Sequence, residues 1–259
     1  MVRIQAKMHI AYAGVSIVNA IPCGIGAVLP INLKAFAKEG KRNRNSPLIN
    51  AIEDYLIKNY KIKTSFEVYS EIPEGVGLKS SSAVSVAIIS SISHKLGDVY
   101  PPKLSAIITK NYNLSITGAF DDAVASYEGK ISFTDNINLK ILKLEKPSHD
   151  LKVIIFINDK RHDLNLSLMR ENCKSFKIAF EKAFNGNIYE GIKINGYLMS
   201  EINGYDKKIL DLMMEKGALT AGISGNGPAY FSLVKEGEEG PILDYLSNKG
   251  KIIVSEVLK

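Results

Sequence analysis

Pro73-Glu74-Gly75-Val76-Gly77-Leu78-Lys79-Ser80-Ser81-Ser82-Ala83 is the stretch on which the fold turns. Before it lies Thr64-Ser65-Phe66-Glu67-Val68-Tyr69-Ser70, alternating and β-prone. After it, small and aliphatic residues (Val84, Val86, Ala87, Ile88, Ile89, Ile92) continue as a helical run to Leu96. The order is strand, glycine-rich turn, serine-rich helix start. Glycine lets a backbone approach a ligand, and the first N–H groups of a helix have no internal partner. About half a positive charge gathers at such an end, which suits phosphate. The three serines offer hydroxyls to oxygen or metal, and Lys79 offers a full charge, to phosphate or to solvent. The same residues also fit a plain helix start with serine as the N-cap. Leu78 before Lys79 excludes a Walker A loop, and Ser80 stands where a dinucleotide fingerprint needs its third glycine.

The chain has 259 residues, 46% hydrophobic and 23% charged, enough for a large core in one domain or two smaller ones. No apolar run reaches a membrane span, since Ile4 to Val18 is broken by Lys7, His9 and Gly14. Met1-Val2-Arg3-Ile4-Gln5 alternates like a strand and is not a signal peptide, so cytoplasmic residence is expected. Cys23 and Cys173 are far apart with no CxxC pair, so neither a disulfide framework nor a cysteine zinc site is expected. Cys23, between Pro22 and Gly24, reads as a small buried hydrophobe. His9, His94, His149 and His162 lack HExxH spacing, which disfavours a histidine zinc enzyme. The net charge of +6 is densest at Lys38-Glu39-Gly40-Lys41-Arg42-Asn43-Arg44, a solvated loop first and a patch for anions second. Aromatic and basic residues do not interleave there, so neither nucleic acid nor a membrane is an expected partner.

Residues 2–38 read as strands broken at Ala20-Ile21-Pro22-Cys23-Gly24-Ile25-Gly26. Ser46-Pro47 opens a helix, a capping hydroxyl followed by proline in the first turn. A helix is expected from Leu104 to Asn111, and strands at 131–133 and 139–144. Around residue 148 the pattern resets. The buried strand 151–157 leads into helices near 164–184, 188–202 and 205–216. Strands near 218–224 and 229–234, a helix near 240–248 and a last strand to Val257 close the chain. Two joined α+β halves follow, 1–148 and 149–259.

Two further motifs carry chemistry. In Thr117-Gly118-Ala119-Phe120-Asp121-Asp122-Ala123-Val124-Ala125-Ser126, adjacent carboxylates diverge and so do different jobs. One of them also fits an Asp N-cap on a helix starting near Asp122. Gly222-Ile223-Ser224-Gly225-Asn226-Gly227-Pro228-Ala229 lies between strands, as a glycine-permitted turn would. It lacks GxSxG spacing, so Ser224 is not read as a nucleophile.

The order PEGVGLKSSSA, GAFDDAVAS, GISGNGPA resembles the GHMP small-molecule kinases, with their PxxxGLGSSAA loop, later catalytic Asp and C-terminal glycine loop. Within that group the chain is similar to the archaeal-type shikimate kinases. The segment Gly14 to Ala27, the LKSSSA form of the loop, and GAFDDA followed by Gly129 and Phe133-Thr134-Asp135-Asn136 carry that finer likeness. The resemblance implies a two-domain α+β fold: an N-terminal domain with a left-handed β-α-β unit, an exception to the usual handedness, and a ferredoxin-like C-terminal domain. It implies ATP with Mg²⁺ and transfer of the γ-phosphoryl group to the 3-hydroxyl of shikimate.

By the same resemblance Asp121 is the catalytic base. Pro73, Glu74, Gly75, Val76, Gly77, Leu78, Lys79, Ser80, Ser81, Ser82 and Ala83, with Gly225 and Gly227, hold the nucleotide. Ser81 is the Mg²⁺ ligand, and Asn19, Gly24, Gly26 and Asp121 border the acceptor. Lys79 departs from the usual loop glycine, and the helix glutamate that gives some relatives a second Mg²⁺ ligand has no counterpart near Lys110-Asn111. Arg161 and Lys7 are candidates for the substrate carboxylate. Other readings are a GHMP kinase for another alcohol such as homoserine or mevalonate, a decarboxylating lyase of the same superfamily, and a basic RNA-binding module.

Overall fold

The computed structural model describes residues 8–147, 150–157 and 162–258. Apolar alternation makes β1 (His9–Val18) and β2 (Ile25–Glu39) a long antiparallel hairpin around the Ala20–Gly26 segment. At 15 residues β2 is long enough to serve two partners on its other side. Ile25–Val28 pairs with β4 (Ile131–Asp135) and Ala35–Glu39 with β3 (Phe66–Ser70), while β5 (Lys140–Glu145) extends the sheet beyond β4.

Four helices of the first half precede β4: α1 (Pro47–Tyr60), α2 (Ser80–Ser91), α4 (Pro101–Asn111) and α5 (Phe120–Glu128), with the single turn α3 (Ser93–Leu96) after α2. The expected cap is present at α1, where Ser46 Oγ accepts from the N–H of Ile49 at 3.2 Å. All of α2 except Ser81 is buried, as its lack of a polar face dictates. It is the central helix of the half. Its small serines let neighbours close in, and Ser105 donates to Ser85 at 2.8 Å.

The second half comprises β6 (Leu151–Ile157), α6 (Leu166–Glu171), α7 (Cys173–Phe184), α8 (Ile188–Asn203), α9 (Lys207–Glu215), β7 (Thr220–Ile223), β8 (Ala229–Lys235), α10 (Gly240–Leu246) and β9 (Lys251–Glu256). The antiparallel order β7-β8-β6-β9 puts β6 between β8 and β9, the ferredoxin-like arrangement. The two sheets meet where Ile31 bridges Val257, and Leu258 N–H donates to the Pro30 carbonyl at 3.1 Å. One hydrophobic cluster runs unbroken from Ala11 in β1 to Val257.

Three sequence expectations are corrected. Cys23 and Cys173 form a disulfide, with Cα atoms 5.3 Å apart, because α7 packs on β1 and β2 and begins beside the Ala20–Gly26 segment. Distance along the chain had argued against that pairing. The helix carrying the two aspartates starts at Phe120 rather than near Asp122, since Ala119 is its cap in the left-handed region (φ 50°). Both aspartates therefore lie in the first turn. The cap of α2 is Lys79, also left-handed (φ 65°) and without a side-chain cap bond, and not one of the serines.

Candidate active site

The phosphate-loop sequence wraps the start of α2 at one wall of a cleft of about 780 Å³. Pro73, Glu74, Gly75, Gly77, Leu78, Lys79, Ser80, Ser81 and Ser82 line it, together with Asn19, Asp121, Gly225 and Gly227. Val76, Ala83, Gly24 and Gly26 do not line it. Val76 instead fixes the loop from behind, its carbonyl accepting from Ala229 N–H at 3.2 Å. Ala83 is buried in α2. A side chain on Gly24 would run into Ile137. Ser80 and Ser82 are buried and Ser81 is exposed, so Ser81 is the most open of the three serines at the cleft.

The two glycine loops close on each other. A Cβ on Gly77 would collide with the Ser224 carbonyl, so only glycine fits there, and Gly77 adopts φ +92°. Ser224 Oγ donates to the Gly77 carbonyl at 2.8 Å. Ser16 in β1 holds the same junction: its Oγ accepts from Gly225 N–H at 2.9 Å and from Lys79 Nζ at 2.8 Å. Asn19 pins the C-terminal loop, its amide donating to the Gly225 carbonyl and Asn226 Oδ1 at 3.0 and 3.1 Å. Its own N–H donates to Asn195 Oδ1 at 2.9 Å. Tyr205 Oη completes the clasp with a 2.6 Å bond to the Asn226 carbonyl.

Asp121 and Asp122 are held quite differently. Asp121 is 4% exposed. Asn136 Nδ2 donates to its Oδ1 at 2.7 Å, and Asn136 is itself oriented by Thr134 Oγ1 at 2.7 Å. Asp121 N–H donates back to Asn136 Oδ1 at 3.1 Å, and Ser132 Oγ donates to the Asp121 carbonyl at 2.8 Å. Burial first, and the neighbouring Asp122 charge second, push the Asp121 carboxyl up to about 7, against the opposing pull of Lys79 and Asn136. Asp122 is more open, and its Oδ1 receives Lys79 Nζ at 2.9 Å.

The cleft thus joins a helix N-terminus with free backbone donors to a carboxyl group poised near neutral pH. Among the described residues no three metal-ligating side chains cluster. The exposed Ser81 hydroxyl is a hard oxygen donor, a single protein ligand of the kind that suits an Mg²⁺ shared with phosphates and water. At the cleft mouth Arg44, from the basic stretch, is ion-paired with Glu74 of the loop. Lys7 and Arg161 lie outside the described residues. Ser16, Asn136 and Asn226 are site residues that sequence reasoning did not single out. Ser16 and Asn136 sat inside stretches that carried the family likeness, but nothing in their residue type marked them.

The model of the GHMP kinases N terminal domain matches residues 47–130, and that of the GHMP kinases C terminal domain matches 157–252. A protein of Methanosarcina mazei named shikimate kinase is 32% identical over 248 residues, 87% of this chain and 84% of its own. One of Pyrococcus abyssi with the same name is 28% identical over 95% of this chain and 97% of its own. Among solved structures, the Methanococcus jannaschii mevalonate kinase superposes with a TM-score of 0.71 at 18% identity, covering 99% of each chain. The Lactococcus lactis galactokinase complexed with galactose superposes at 0.69 and 12% identity, over 98% of this chain and 94% of that one. At these identities the structural likeness speaks for the fold alone. Matched by both domain models and by archaeal relatives along most of its length, the chain belongs to the GHMP kinase family.

Proposed function

We propose that the protein is a shikimate kinase that moves the γ-phosphoryl group of ATP to the 3-hydroxyl of shikimate. The single observation that carries the kinase chemistry is Asp121, a buried carboxyl that Asn136 holds in the same cleft as the first turn of α2, its pKa pushed up by burial to about 7. A general base works best when its pKa lies near the operating pH. The named archaeal relatives, 28–32% identical over most of both chains, support shikimate as the acceptor.

Phosphoryl transfer asks a protein mainly for positioning and charge stabilisation. The loop 73–83 and the first turn of α2 offer backbone donors to the phosphates, and Gly225 and Gly227 cover them from the second half. Ser81 would hold Mg²⁺, which would neutralise phosphate charge when bound. Asp121 takes the proton of the acceptor hydroxyl. That oxygen bonds to the γ-phosphorus as the bond to the bridging oxygen breaks, and ADP leaves with the electron pair. Asn136 fixes the carboxylate through one oxygen, leaving the other for the acceptor.

In this reading residues 1–148 carry cradle and base, and 149–259 carry the covering loop. Asn19 borders the acceptor end by shaping the 225–227 loop, Gly26 acts on it from outside the cleft by leaving room for Asp121, and Gly24 faces Ile137 and takes no part. Use of ATP and a small polar acid fits a cytoplasmic enzyme, and no described helix is long and apolar enough to cross a membrane. The test is ADP release by the purified chain with Mg²⁺-ATP and, in turn, shikimate, mevalonate, homoserine and galactose. Shikimate should give the highest kcat/KM by a wide margin. Preference for another alcohol would overturn the substrate and keep the chemistry.

A further inference from the structure

Lys79 is the anomaly of the site. It occupies a left-handed position (φ 65°) that glycine adopts freely and that costs other L-residues roughly 1–2 kcal/mol. Its side chain is only 8% exposed, unusual for a lysine. A backbone penalty and a buried charge in one residue argue that the side chain has work to do. An ammonium group has three N–H donors. One meets Asp122 Oδ1 at 2.9 Å on α5, and another meets Ser16 Oγ at 2.8 Å on β1. The Ser16 oxygen also receives Gly225 N–H. Lys79 Nζ therefore sits where the phosphate loop, the catalytic helix and the C-terminal loop converge, one residue along from Asp121.

We propose that Lys79 is a catalytic residue whose ammonium, tethered by Asp122 and Ser16, contacts the phosphoryl group as it passes from ATP to the acceptor. Asp122 is then a positioning residue for Lys79, and the two adjacent aspartates have separate tasks. This rests on the kinase reading of the cleft. Without a ligand, Lys79 balances Asp122 and leaves Asp121 as the remaining charge. The arriving phosphoryl oxygens bring further negative charge into a largely buried site, where a fixed cation acts more strongly than in water. Two tethers keep the ammonium from swinging, so little reorganisation is needed at transfer. The ammonium keeps all its protons, because Asp121 takes the acceptor proton. The charged groups acting on Asp121 are Asp122 from its own helix and Lys79 from the start of α2. The strand β4 and the turn after it present neutral Ser132, Thr134 and Asn136.

The test compares Lys79→Gly, Lys79→Met and Lys79→Arg with the parent, using whichever alcohol the parent phosphorylates best. Lys79→Gly suits the left-handed cap, which offsets part of what losing the ion pair with Asp122 costs, and a cooperative melt checks that it folds. Its kcat should fall by about 100-fold or more while both KM values stay within about three-fold, the pattern for a group that acts in the transition state. Lys79→Arg should recover part of the loss. In a second measurement without substrate, carboxyl ¹³C NMR should show Asp121 titrating at higher pH in Lys79→Met. A folded Lys79→Gly variant with kcat within about ten-fold of the parent would overturn the proposal. So would a loss confined to KM, which marks a binding or structural ion pair. If the parent prefers another alcohol, the shikimate reading fails while Lys79 is judged on that alcohol. If it phosphorylates none, an unmoved Asp121 titration in Lys79→Met overturns the placement of the ammonium against the base.

Discussion

Gly26 lies directly beneath the carboxylate of Asp121, so close that a Cβ built on Gly26 would overlap Asp121 Oδ2. The contact links the hairpin β1–β2 to the catalytic helix and explains why a glycine interrupts the buried start of β2. It also bears on the proposed catalysis, because Oδ2 is the oxygen that the proposed base would offer the acceptor while Asn136 holds Oδ1. Gly26→Ala should push the carboxylate aside by a fraction of an ångström to an ångström. A shift of that size costs about 100-fold in turnover. Measured kcat should fall accordingly in a variant that still unfolds cooperatively, whereas unchanged kcat would mean that the carboxylate is not held against the strand.

The raised pKa of Asp121 fixes a pH dependence. As the proposed base, Asp121 must be ionised, so kcat/KM of the free enzyme should fall below about pH 7. The Asp122 charge is part of what raises that value, so Asp122→Asn should move the acid limb to lower pH, along with any loss from freeing Lys79. Conversely, Asn136→Ala removes a donor to the ionised form and should move the limb upward. A pH–rate profile of each variant reads the direction. A limb that ignores both substitutions would separate the titrating group from Asp121.

Stability should run against activity at the same residue. Between the ordinary carboxylate value of 3.8 and about 7, folded Asp121 holds a proton that the unfolded chain has released. Its contribution to stability therefore falls as pH rises through that window. Asparagine keeps the contact with Asn136 and carries no buried charge. Asp121→Asn should then unfold later than the parent above pH 7, by up to about 4 kcal/mol at roughly 1.4 kcal/mol per pH unit. The gain should vanish near pH 4. Urea unfolding at the two pH values checks both halves of the statement.

The disulfide offers an independent handle on how the halves are joined. Cys23 and Cys173 are 150 residues apart, and the bond ties the segment between β1 and β2 to the start of α7. In the chain-entropy account a cross-link closing so long a loop stabilises by about 4–5 kcal/mol, through the unfolded chain. Reduction, the ordinary state of thiols in a cytoplasm, removes the link. Dithiothreitol or Cys23→Ser should lower the urea midpoint by the corresponding amount, and identical midpoints with and without reductant would show that the bond contributes nothing.

Local chemistry was legible in the sequence and convergence was not. Ser46-Pro47 announced the cap of α1, the run after Ala83 announced a central helix, and the strand and helix pattern after residue 150 placed the elements of the second half, whose ferredoxin-like order was expected from the family likeness. The Asp121–Asp122 pair and the loop 73–83 stood out because a carboxylate pair and glycine beside serine are unusual in themselves, while the preference for Asp121 came from the family likeness; the structure places all of them at one cleft. Ser16 is an ordinary strand residue by type, and only folding sets it against Gly225, 209 positions away. Asn136 belongs to a turn by composition, and its role depends on the hydrogen bond it makes 15 positions back. The start of α5 was misplaced because left-handed Ala119, after Gly118, caps the helix where a side-chain cap was expected.

The central claim is that Asp121 is the base of an ATP-dependent transfer to shikimate. Turnover of Asp121→Asn against the parent, at saturating Mg²⁺-ATP and shikimate and pH 8, tests it most directly. Its kcat should be lower by about 10²–10⁴-fold in a variant at least as stable as the parent. A stable Asp121→Asn variant that forms shikimate 3-phosphate within about ten-fold of the parental rate would contradict it.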